Sequence, residues 1–233
     1  MKPTILFLSC EHATNAVPPN YRHVFHQHES LLETHRAIDL GSEAIIRQLS
    51  QTFGCEYITA SVTRLLIDCN RSLSHATCFS EFSKSLSTAE KQQLIDKYYL
   101  PYRQKTEDMI KHHIDKGHQV LHLSIHTFTP ILNGIPRNTG IGLLYDPKHH
   151  GEKEVVRQLH GILSQQTDYR IRLNYPYRGN TDSFTTYLRK RYPQTDYLGI
   201  ELEVNQALVE NKACLESVTQ AISNSLSELL QLL

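Results

Sequence analysis

Several residues able to do chemistry follow directly on short apolar runs. Glu11 and His12 follow residues 5–10, and Asp68, Asn70 and Arg71 follow residues 64–67. His126 follows residues 120–125, and Glu201, Glu203 and Asn205 recur at every second position of the run 199–204 and its end. Two histidines and one carboxylate, with the fourth position left to water, form the usual open site of a hydrolytic zinc enzyme. The third ligand is open among Asp39, Glu11 and Asp68, because no H-E-x-x-H occurs and Asn15 stands three residues after His12. Asp39 is favoured. It precedes Gly41 on an expected helix, whereas strand alternation turns Glu11 away from His12.

His122, Ser124 and His126 share one strand face, and Leu121, Leu123 and Ile125 share the other. A ligand histidine needs a partner for its second ring nitrogen. His122 or a nearby carboxylate is expected to supply it. The chain holds 14 histidines. Most of the others, among them His23, His26, His28, His112, His113, His149 and His150, read as solvated residues of loops and helix faces.

The elements that must position these groups alternate between strand and helix, the signature of an α/β fold with a largely parallel sheet. Strands are expected at residues 5–10, 55–61, 64–68, 120–125, 140–145, 169–173 and 199–204. Helices are expected at 30–53, 87–116, 152–165, 181–191 and 211–233. Ser87 and Glu90 form a capping box at the start of the second helix, Pro101 is expected to kink it, and Gly117 ends it. In such sheets ligands bind beyond the carboxyl ends of the strands, which is where the reactive residues fall. With no repeat or linker composition, residues 1–233 read as one domain.

Composition narrows the partners. Lys and Arg number 24 against 24 Asp and Glu, so no broad basic field favours nucleic acid. No apolar run reaches the roughly 18 residues of a membrane span. The opening run is broken by Glu11 and His12 too early for a signal peptide. Five cysteines without a C-x-x-C pair read as reduced thiols of a cytoplasmic protein. The expected partner is a small molecule, and the oligomeric state is not legible.

The runs Ser9-Cys10-Glu11-His12-Ala13-Thr14-Asn15-Ala16-Val17-Pro18, Asp68-Cys69-Asn70-Arg71, Ser124-Ile125-His126-Thr127-Phe128-Thr129-Pro130 and Gly199-Ile200-Glu201-Leu202-Glu203-Val204-Asn205-Gln206 together resemble the N-formylglutamate amidohydrolase family. The likeness extends over about residues 5–210, and its specificity lies in the order and spacing of the four motifs. It departs at Thr14 and Thr127, where Gly and Ser are common. The resemblance implies a single three-layer α/β domain around a central, mostly parallel mixed sheet, like zinc carboxypeptidases and related phosphorylase/hydrolase-like proteins. It implies a divalent metal, Zn²⁺ foremost, on His12 and His126, a carboxylate clamp at Asn70 and Arg71, and Glu203 as the base acting on water. Glu201, deeper on the same strand, is the alternative base.

An arginine should also stabilise the oxyanion. Arg137 and Arg64 are the candidates, and Tyr175-Pro176-Tyr177-Arg178-Gly179 reads as a substrate-facing loop that brings Arg178 to the site. The expected activity is metal-dependent hydrolysis of an N-acyl amino acid such as N-formylglutamate. A carboxypeptidase-like peptidase and a non-catalytic metal- or ligand-binding protein are the alternatives.

Overall fold

The computed structural model describes residues 2–233. A six-stranded mixed sheet is built from β1 (Thr4–Cys10), β2 (Tyr57–Thr59), β3 (Gln119–Phe128), β6 (Ile141–Leu144), β7 (Ile171–Leu173) and β8 (Tyr197–Asn205), in the order β2-β1-β3-β8-β6-β7. The pairs β1–β2, β1–β3, β3–β8 and β6–β7 are parallel, and β6 runs antiparallel to β8. The short pair β4 (Ile131–Leu132) and β5 (Ile135–Pro136) forms a separate hairpin beyond the carboxyl end of β3.

Alternation along the strands decides the layers. Leu6, Leu8, Cys10, Leu121, Leu123, Ile125, Leu198, Ile200, Leu202 and Val204 pack on one face against α1 (Ser42–Phe53), α4 (His150–Gln166) and α6 (Lys212–Leu232). The other face, carrying Phe7, Val120 and Tyr197, is covered by α3 (Leu100–Asp115), α5 (Phe184–Arg191) and the segment 60–86. This second face also carries the polar residues. Each fully buried Leu or Ile contributes about 1.5–3 kcal/mol of transfer free energy, so a one-residue slip that turned the apolar column outward is strongly disfavoured.

Most expected elements are present, and the departures have physical causes. The helix expected from residue 30 starts only at Ser42, because Gly41 adopts a left-handed φ of +83° that no α-helix contains. Glu29–Glu33 is a short 3₁₀ turn, and Asp39 therefore lies in the loop before α1 and not on it. The strand expected at 64–68 is absent. Those residues make turns, with Leu66 N donating to Thr63 O (3.0 Å) and Asp68 N to Cys78 O (2.8 Å), while Leu65, Leu66 and Ile67 are buried in the core. An apolar run buried under a loop has the same composition as a strand.

The Ser87–Glu90 capping box is present and opens α2 (Thr88–Leu94). A π-helical turn over Ile95–Tyr99 joins α2 to α3 just ahead of Pro101, which has no N–H to donate, and Gly117 at φ +86° follows the end of α3. Among the described residues, no helix is long and apolar enough to cross a membrane.

Candidate metal and active site

Parallel pairing lines up the polar columns of the second sheet face. Ser9 pairs with Ser124, Ser124 with Glu201, and His126 with Glu203. The carboxyl ends of β1, β3 and β8 thus deliver His12, His126 and Glu203 to one edge, as the strand-end rule requires.

His12, Asp39 and His126 are buried and present ligand atoms all within 4.8 Å of one another. Asp39 Oδ2 is 3.3 Å from His12 Nδ1 and 2.9 Å from His126 Nδ1. Donors held at about 2.0–2.2 Å by one tetrahedral ion lie about 3.4 Å apart, so the spacing suits a shared metal. The loop before α1 fixes Asp39. Its N–H donates to His12 O (3.0 Å), and its carbonyl accepts from Ser42 Oγ (2.7 Å). Thr127 Oγ1 donates to Leu40 O (2.8 Å), closing that loop onto β3.

Each histidine turns its other nitrogen toward a carboxylate. His12 Nε2 lies 2.8 Å from Asp68 Oδ1, and His126 Nε2 lies 3.2 Å from Glu11 Oε2 and 2.9 Å from Ser124 Oγ. Glu11 also accepts from Tyr102 OH (2.7 Å) and Ser124 Oγ (2.6 Å). The other two carboxylates considered at the sequence level therefore sit behind the histidines, where they orient the rings. Glu11 does turn from His12, onto the neighbouring histidine. His122 is not a partner of His126. It lies between Ser9 Oγ (2.8 Å) and Tyr197 OH (2.7 Å), and burial pushes its pKa down to about 4.

The electrostatics ask for a cation. Glu11, Asp39, Asp68, Glu201 and Glu203 are all buried here, and Arg64, Arg71 and a single protonated histidine, His126, are fewer cations than the five carboxylates around them. Burial lowers the His126 pKa, but Glu11, Glu203 and Glu201 outweigh it and push it up to about 10. His12 is pulled down to about 4, by burial first and then by Arg64. Burial alone would raise Asp68, yet His12 and Arg64 hold it well below the usual carboxylate range. Glu203 moves the other way: burial raises its pKa, and its Oε2 is buried without a hydrogen-bond partner. An unpartnered buried carboxylate oxygen beside a His-Asp-His group fits a site built around a bound ion.

A cavity of about 200 Å³ opens on this edge, lined by His12, Asp39, His126 and Glu203 together with Glu201, Asn70, Arg71, Arg64, Tyr177 and Arg178. Asn70 Oδ1 accepts from Phe184 N (2.8 Å), which leaves the amide NH₂ as its available donor group. Arg71 donates to Asp182 O, and Arg64 donates to Asp39 Oδ1. Arg137 does not line the cavity. It stacks against Phe128 and Tyr177, with Nη1 3.3 Å from Tyr177 OH.

The sequence model of N-formylglutamate amidohydrolases matches residues 4–210. The chain belongs to the N-formylglutamate amidohydrolase family. This makes it a hydrolase of amide bonds. The gene product Atu2144 of Agrobacterium tumefaciens is similar at 23% identity and a TM-score of 0.85, the match covering 97% of this chain and 90% of that one. The N-formylglutamate amidohydrolase of Ralstonia eutropha is similar at 16% identity and a TM-score of 0.74, covering 99% and 93%. At these identities the likeness shows a shared α/β fold. Comparison with curated proteins gives no match.

Sequence reasoning missed several residues of this amidohydrolase site. Tyr102, on α3, holds Glu11 from a helix far along the chain. Thr185 Oγ1 donates to Glu201 Oε1 (2.7 Å), and Asp182 meets both Arg71 and Ser72. None carries a motif, and only the three-dimensional crossing of α3 and α5 over the sheet brings them in. Asn15 points elsewhere, donating to Glu33 at the exterior (3.1 Å).

Proposed function

We propose that this amidohydrolase, with residues 1–233 acting as one unit, hydrolyses the amide of an N-formyl amino acid such as N-formylglutamate with the help of a divalent metal. Support comes chiefly from one observation: the His12–Asp39–His126 group shares a small cavity with an unpartnered Glu203 carboxylate and the Asn70–Arg71 pair. His12 and His126 through Nδ1, and Asp39 through Oδ2, would hold the ion. Mixed nitrogen and oxygen donors suit Zn²⁺. When bound, such an ion supplies Lewis acidity, polarising the carbonyl and acidifying water.

The chain's own groups do the rest. Asn70 and Arg71 take the substrate carboxylate, since a guanidinium matches it bidentately. Arg178, on the loop above, lines the outer wall. Glu203 accepts the proton of the attacking water and returns it to the amine nitrogen as the C–N bond breaks, releasing formate and the free amino acid. Its raised pKa suits a group that must both accept and release a proton. Glu201, one oxygen of which is held by Thr185, is left to shape the wall. Arg64 is the better placed of the two arginines for the oxyanion, because it lines the cavity and Arg137 does not.

The volume favours a small amino-acid derivative over a longer peptide. The test is metal analysis of the purified protein, followed by formate release from a panel of N-formyl and N-acetyl amino acids, with His126→Ala beside the wild type. Bound metal and formate release, both lost in the variant, are expected. Wild-type protein that releases no formate after addition of zinc would refute the proposal.

A further inference from the structure

A buried ion pair outside the His-Asp-His group ties together two walls of the cavity. The Arg189 side chain on α5 is only 6% exposed, and that of Glu152 on α4 is fully buried. Arg189 Nε donates to Glu152 Oε1 (2.7 Å), Nη1 to Gly179 O (2.6 Å) and Thr186 Oγ1 (3.1 Å), and Nη2 to Gly199 O (2.6 Å). Glu152 in turn accepts from Gly199 N (2.9 Å) and Asp146 N (3.0 Å).

Gly199 lies two residues before Glu201 on β8. Gly179 closes the loop of Tyr177 and Arg178, which lines the cavity. That loop lies backbone on backbone against β6: a Cβ at Gly179 would meet Tyr145 N at 2.2 Å, and Asn174 Oδ1 accepts from both Tyr145 N and Gly179 N. The first turn of α5 and its cap meet the other wall, through Asp182 O on Arg71, Phe184 N on Asn70 Oδ1 and Thr185 on Glu201.

We propose that Arg189 is a positioning residue for substrate: through its fork on Glu152, Gly199 and Gly179 it sets the Tyr177–Arg178 loop and the start of α5 against β8, and with them Asn70 and Arg71. The inference rests on the reading that those residues bind substrate. It involves no metal ligand. Arg189 touches neither substrate nor the reacting atoms, so its loss misplaces binding groups and leaves the water-activating groups in place, which falls on KM.

The experiment compares wild type, Arg189→Lys, Arg189→Met and Thr186→Val over a series of N-formylglutamate concentrations, with bound metal and the circular-dichroism melt measured on each. Lys keeps the charge facing Glu152 but not the fork. KM is expected to rise about tenfold or more in Arg189→Met and about threefold in Arg189→Lys and Thr186→Val, with kcat within about threefold and metal content unchanged. Removing one member of a buried pair can prevent folding. In that case the half-buried Thr186→Val decides, because it removes the second Arg189 Nη1 contact and the hydroxyl's own bond to Thr181 O (2.7 Å) on the same loop. A folded variant with wild-type KM, or one losing kcat and metal together, overturns the proposal. An inactive wild type would instead refute the function on which it rests.

Discussion

Asp68 Oδ1 lies 2.8 Å from His12 Nε2, so the nitrogen that does not face Asp39 is already committed. A carboxylate there fixes the tautomer and strengthens the ring as a donor. Asp68→Asn is therefore expected to keep the fold and weaken metal binding about 10–100-fold, read by competition with a chromogenic chelator. Glu11→Gln should do the same through His126. Complete loss of metal from Asp68→Asn, with Asp39→Asn still loaded, would exchange the roles of the two aspartates.

Glu203 should separate turnover from metal binding. Glu203→Gln keeps the shape and removes the base, so kcat is expected to fall about 10²–10⁴-fold while the metal stays bound. Stability should move the opposite way. The folded pKa of Glu203 is raised by burial, so the fold disfavours its ionised form. Stability is then full below the unfolded carboxyl pKa, about 4.3, and declines as pH rises through the folded value. In chelator-treated protein, Glu203→Gln should melt above the wild type at pH 8, with the gap closing near pH 4. A variant that melts lower at pH 8 would show that the carboxylate is structural.

The sequence made the strand-end residues legible because strand alternation is local. The faces of residues 120–126 and 199–205 follow from period two, and the parallel register then places His126 beside Glu203. What it left open depends on crossings. Which carboxylate meets both histidines through their Nδ1 atoms depends on the turn at Gly41, which brings Asp39 to 3.3 Å from His12 and to 2.9 Å from His126, 87 residues further along the chain. The apolar run 64–68 imitated a strand because burial, and not hydrogen-bonding pattern, is what composition encodes. Arg189 and Tyr102 gave no signal, since a buried arginine or tyrosine on a helix is indistinguishable in sequence from a solvated one.

The two arginines proposed for the oxyanion should part in mutagenesis. Arg64 lines the cavity and donates to Asp39, whereas Arg137 lies behind Tyr177. Arg64→Ala is expected to lower kcat about 10²–10³-fold, with part of the loss appearing as weakened metal binding. Arg137→Ala should leave kcat within about threefold. Steady-state kinetics at saturating zinc make the comparison, and a larger kcat loss for Arg137→Ala would reverse the assignment.

Arg71 offers the sharpest test of what the cavity recognises, because the substrate can be altered to match. Arg71 reaches Asp182 O with one nitrogen and lines the cavity beside Asn70. A charged hydrogen bond of this kind contributes about 1.5–3 kcal/mol, or roughly 10- to 150-fold in kcat/KM. Arg71→Ala should therefore lose that factor on N-formylglutamate. On the α-carboxamide of the same substrate, which has no α-charge to meet the guanidinium, the variant and the wild type should differ by less than about threefold, since most of the loss for that substrate is already present in the wild type. The two enzymes and two substrates form a cycle whose coupling energy isolates the contact. Equal losses on both substrates would mean that Arg71 does not meet the α-carboxylate, and acts on the γ-carboxylate that the amide retains or on the cavity wall through Asp182.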